Sequence, residues 1–112
     1  MRTKKQITIL VPSGARSGSG NGDSFSFPAY FDDLILFVDT TVAGTTITLN
    51  YQVSLDGGTT WGTHTALTAI TTTGQVVKLI VGPIASLCRI SWSAVTGSFT
   101  FSVRGEFSLN GA

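Results

Sequence analysis

A chain of 112 residues is long enough for one domain with a core of its own. A net charge of +1 is too small for binding nucleic acid by phosphate neutralisation. Only 12% of the residues are charged, about half the usual ~25%, so little keeps copies of the protein apart and assembly is expected.

The chain opens on "MRTKKQITILVPSGA", basic at first and then apolar only from Ile7 to Val11. That run is too short for the apolar core of a signal peptide, and no other stretch approaches bilayer-spanning length. The expectation is therefore a protein made in a cytosol, with no membrane partner. Residues 6–11 read as a strand. Arg2, Lys4, Lys5 and Arg16 give the first sixteen residues +4, while the rest of the chain carries −3. These four cations, with Ile7, Ile9 and Val11 of the strand-like run, are the candidate interface residues: a basic arm suited to docking on a neighbouring subunit or an acidic partner, the alternative being that the run forms the first strand of this subunit's own sandwich. The segment "SGARSGSGNGD" (13–23) is rich in Gly and Ser and reads as a flexible link. The expected organisation is thus an arm and linker at 1–22 and a β-domain at 23–112.

From there the pattern is one of strands. "SFSFP" (24–28) and "DLILFVDTT" (33–41) come first. In "TITLNYQVSL" Ile47, Leu49, Tyr51, Val53 and Leu55 alternate with polar residues, which marks a strand with one buried face. "THTALTAIT" (63–71), "QVVKLIV" (75–81) and "LCRISWSAV" (87–95) follow. In "SFTFSVRGEFSL" the set Phe99, Phe101, Val103, Phe107 and Leu109 alternates with polar side chains, and Gly105 falls on the apolar side, where it marks a bend, a bulge or a close approach. Turn signals separate the runs: "AGT", "DGG", "TTG", "GP" and "TGS". No window reads as a helix. The predicted fold is all-β, an antiparallel β-sandwich or jelly roll of about eight strands with an N-terminal arm.

Within "SLDGGTTW" each position has a folding role. Ser54 and Asp56 open the turn and Asp56 accepts backbone N–H groups. Gly57 and Gly58 supply positive φ. Thr60 and Trp61 start the return strand, where the indole packs back on the hairpin. The octapeptide resembles the Asp-box hairpin of sialidases. In those enzymes the box recurs around a propeller, away from the catalytic pocket. One copy in a chain too short for a propeller is a structural turn.

Chemistry-bearing residues are sparse. Cys88 is the only cysteine and sits at a packed strand position; His64 is the only histidine, with no ligand partners at metal-binding spacing. Asp32 and Asp33 solvate a strand start. No nucleophile elbow is present, and "GSGNG" lacks the Lys and helix of a phosphate loop. No catalytic, cofactor-binding or metal site is expected, and the protein reads as a non-enzyme. Tyr51 and Trp92 belong to the core, which leaves Trp61 and Tyr30 as the aromatics a sugar could stack on.

Three stretches, "DDLILFVDTTVAGTTITLNYQVSLDGGTTW", "TTTGQVVKLIV" and "RISWSAVTGSFTFSVRGEF", are similar to small structural proteins encoded by tailed bacteriophages. The similarity spans roughly residues 32–107 and consists of strand-and-turn devices. It implies a virion protein, in particular a capsid decoration or cement protein. Such a protein would bind the major capsid protein on the outer surface of the shell, as a trimer. The alternatives are a tail or baseplate component, or a carbohydrate-binding module for host attachment.

Overall fold

The computed structural model describes residues 3–26, 33–81 and 87–110. Eight strands are formed: β1 (Thr3–Arg16), β2 (Gly20–Asn21), β3 (Asp33–Val42), β4 (Thr46–Ser54), β5 (Gly62–Ala66), β6 (Gly74–Val81), β7 (Leu87–Thr96) and β8 (Phe99–Asn110). They make two four-stranded sheets ordered β1-β8-β3-β6 and β2-β7-β4-β5, with every pairing antiparallel. Every connection except β4–β5 crosses from one sheet to the other. Of the two architectures expected from the sequence, this strand order is the jelly roll.

The alternation seen in the sequence is what closes the sandwich. Leu34, Leu36 and Val38 of β3, Ile47, Leu49 and Tyr51 of β4, Cys88, Ile90 and Trp92 of β7 and Phe99, Phe101, Val103 and Phe107 of β8 are all buried in one shared core. At Gly105 the expected close approach is present. A Cβ there would lie 2.9 Å from both Leu10 Cδ1 and Leu34 Cδ1, so a larger residue would collide with the core. The period-two rule fails at Leu55, which is exposed because the chain has already turned at Ser54. "THTALTAIT" yields only the short strand β5. Its Leu67 and Ile70 reach the core from the following connection instead, Ile70 through a bridge to Ile47. "SFSFP" reduces to a bridge between Phe25 and Cys88, and residues 27–28 lie outside the described residues.

At the N-terminus the strand-like run joins this subunit's own sheet, and it extends further than the sequence suggests. Residues 3–16 form one long strand paired along β8, from Thr3 opposite Asn110 to Arg16 opposite Phe99. Gly14, Ala15 and Arg16, expected in a linker, belong to that strand. Gly20 and Asn21 then pair with Trp92 and Ser91 in the other sheet. The glycines permit packing here. A Cβ on Gly20 would sit 2.9 Å from the Trp92 ring, so only bare backbone can lie against the indole.

Candidate interaction surfaces

The β4–β5 hairpin shows the geometry its residues dictate. Ser54, almost fully buried, donates its hydroxyl to Asp56 Oδ1 at 2.8 Å and accepts the Gly58 N–H at 2.9 Å. The same Asp56 oxygen accepts the N–H groups of Thr60 at 2.8 Å and Thr59 at 3.1 Å. The Thr60 N–H foremost, and the Ser54 hydroxyl next, hold the Asp56 pKa down at about 2. Gly57 and Gly58 take φ of 77° and 100°. Trp61 donates its indole N–H to the Gly58 carbonyl at 3.0 Å, and the Arg89 guanidinium lies 4.3 Å from its ring centroid. Arg89 in turn donates to Gln52 at 2.8 Å. The Asp56 carboxylate is thus engaged in holding the turn, and a cation of the same chain covers a face of Trp61. Tyr30, the other aromatic considered for sugar stacking, lies outside the described residues, as does Asp32.

His64 is exposed on the edge strand β5, its Nδ1 2.8 Å from Thr65 Oγ1 and its ring edge-on to Tyr51. The Cys88 thiol is buried. Tyr51 Oη is buried too, with no oxygen or nitrogen partner among the described residues. Burial first, and the adjacent Cys88 second, push its pKa up. Among the described residues no three His, Cys, Asp or Glu side chains gather as metal ligands would.

The candidate interface residues separate into distinct environments. Arg2 lies outside the described residues, and Lys4 and Lys5 are described only as backbone of β1. Val11 is buried, because register shifts on either side of it break the alternation that Ile7 and Ile9 begin. Arg16 is used inside the subunit. Its guanidinium lies 4.9 Å from the Trp92 ring centroid and 4.6 Å from that of Phe101. It also donates to the carbonyls of Pro12, Gly14 and Phe101. Partial desolvation there lowers its pKa.

Ile7 and Ile9 remain at the surface, 69% and 65% exposed, and they have company that the sequence reading missed: Val77 is 60% and Leu79 53% exposed on β6. The registers line these residues up across the outer face of the first sheet. One rung runs Ile7, Glu106, Ile35, Leu79; the next runs Ile9, Arg104, Phe37, Val77. The alternation in "DLILFVD" and "QVVKLIV" carries this signal, since the residues out of phase with the core are themselves apolar.

The chain matches no family model and none of the curated proteins. In fold it is similar to a prophage-derived protein. That protein, YomS of the SPBc2 prophage, superposes with a TM-score of 0.63 over 96% of both chains at 12% identity. A pilus-forming protein of Bacillus endospore appendages gives a TM-score of 0.54 at 11% identity, covering 96% of this chain and 89% of that one. A protein of the infectious bursal disease virus Gx strain structure gives 0.55 at 14% identity, with all of this chain matching 34% of the viral one. At these identities the shared property is the fold. The jelly roll recurs in a prophage-derived protein, a surface filament and a virus.

Proposed function

We propose that this protein is a non-enzymatic structural component of a bacteriophage virion. The finer reading is a capsid decoration or cement protein, bound to the major capsid protein on the outer surface of the shell. The observation that carries the proposal is the near full-length fold likeness to a prophage-derived protein. A sheet face left apolar on the outside and a charge-poor sequence support it, because both suit a protein that works in an assembly. The mechanism is mechanical. Contacts made only with the assembled shell stabilise it by mass action, and a homo-oligomer, for which a trimer suits three-fold positions, multiplies modest contacts on a repeating lattice.

Immunogold labelling of particles purified from cells that carry the gene tests this reading. Gold over the heads is expected. Gold on tails would replace the decoration reading with a tail or baseplate one, and unlabelled particles would overturn both. Glycan-array binding by the purified chain, lost on Trp61→Ala with folding intact, would instead establish the carbohydrate-binding alternative.

A further inference from the structure

We propose that Asn21–Gly22 is a self-modification site that the fold holds shut. The peptide nitrogen of Gly22 attacks the Asn21 side-chain amide only when the segment around β2 leaves β7. This goes beyond the virion reading and does not depend on it, because the reaction belongs to the purified chain.

The chemistry needs only the chain and water. The Gly22 amide loses its proton, and its nitrogen bonds to Asn21 Cγ. The bond from Cγ to the side-chain nitrogen breaks and ammonia leaves, which closes a five-membered succinimide. Water then opens the ring at one of its two carbonyls. The products are aspartate, or isoaspartate in which the main chain runs on through the side chain. A following glycine makes the attack fast, because no Cβ crowds the nitrogen. Asn21 and Asn110 are each followed by glycine, whereas Asn50 is followed by tyrosine.

The folded chain withholds what the attack needs. Asn21 is exposed, so solvent reaches it. Pairing with Ser91, however, keeps its backbone extended, which turns the Gly22 nitrogen away from Cγ. The Gly22 N–H is donated to the Ile90 carbonyl at 2.7 Å, and that bond holds the proton in place. The backbone is also wedged. A Cβ on Gly22 would lie 2.9 Å from Val11 Cγ2 and 3.4 Å from the carbonyl oxygens of Leu10 and Ile90, so the peptide cannot turn where it sits. Anchors stand on both sides. Gly20 lies against the Trp92 ring, while Phe25 exchanges two backbone hydrogen bonds with Cys88 and packs its ring on Tyr51 and Phe107. Cyclisation therefore requires the segment from Gly20 to Phe25 to come off β7. Hydrogen exchange at Gly22 begins with loss of the same proton, so one opening governs both processes. Isoaspartate makes the opening permanent. It adds an atom to the main chain between the Gly20 anchor and the bond to Ile90, and their spacing no longer fits.

Peptide mapping by mass spectrometry tests the site, on the full chain incubated in mildly alkaline buffer with and without denaturing guanidinium. In the unfolded chain Asn21 and Asn110 should convert at similar rates, and Asn50 far more slowly. In the folded chain conversion at Asn21 should be slower by on the order of tenfold or more. Phe25→Ala removes one anchor and should speed conversion at Asn21 and hydrogen exchange at Gly22 by the same factor. Should that variant fail to fold, the parent chain in guanidinium below its unfolding transition gives the same paired measurement. Equal rates at Asn21 in the folded and unfolded chain would overturn the proposal. So would an Asn21 that stays intact when unfolded, or faster exchange at Gly22 with no faster conversion.

Discussion

On the outside of the second sheet, Gln52 of β4 lies between Thr63 and Arg89 and hydrogen-bonds to both. At the matching place on the first sheet, Phe37 of β3 lies between Val77 and Arg104. Thr48, Asn50, Ser91 and Ser93 continue the polar side, whereas Ile7, Ile9, Ile35 and Leu79 continue the apolar one. The inward halves of the two sheets are alike, so the core alone does not require this asymmetry. One outer face is lined mainly by polar side chains, and the other carries a band of apolar ones.

The largest effect should come from the part the two sheets share. Phe99→Ala empties a fully buried position and is expected to cost about 3–5 kcal/mol in denaturant unfolding. A cost under 1 kcal/mol would mean that the sandwich can collapse around the gap, and that the interior fixes less than the exterior does.

Changing the outer face should do the reverse. Replacing Ile9, Val77 and Leu79 together by Thr gives the first sheet the surface chemistry of the second. Each change at these exposed positions is expected to stay within about 0.5 kcal/mol of the parent stability. Self-association measured by light scattering should be lost. Retained association with lowered stability would contradict the contrast between the faces.

The inward half of the molecule was legible in the sequence because period two is a local property. Ile47, Leu49, Phe99, Phe101 and Val103 needed no partner to be recognised, and the hairpin at Ser54–Trp61 was legible because its bonds close within eight residues. What was not legible depends on distant chain. Arg16 could not be placed from its neighbours, since its partners Trp92 and Phe101 arrive from two other strands. The Gly/Ser segment read as a linker because composition reports freedom in isolation. Glycine also permits the close packing of Gly20 on an indole, which appears only once Trp92 is in place. The apolar outer face was in the sequence all along, but a strand apolar on both sides reads first as a well-buried one.

A smaller effect is expected at the hairpin that joins two strands of the polar-faced sheet. The Asp56 pKa is depressed to about 2 in the folded chain, against roughly 3.9 unfolded. Its contribution to stability is therefore complete above pH 4 and lost as the pH falls through 2. The melting temperature should drop across that window, and Asp56→Asn should have a lower melting temperature at neutral pH and a flatter profile below pH 4. An unchanged acid profile would show that the turn holds without its carboxylate.

The smallest predicted effect lies where β4 and β7 slip register. Ile47 faces two residues of β7 there, since Thr46 pairs with Thr96 and Thr48 with Ser93. The extra length is absorbed at Ala94, which takes φ of 52°. That left-handed conformation costs an alanine roughly 1–2 kcal/mol, whereas glycine adopts it freely but loses about 0.5–1 kcal/mol in chain entropy. Ala94 is exposed, so its methyl group has little packing to lose. Strain relief outweighs entropy by these magnitudes, and Ala94→Gly should stabilise the fold by up to about 1 kcal/mol in denaturant unfolding. A loss of stability would mean that the chain entropy added by glycine exceeds the strain that Ala94 carries at this bulge.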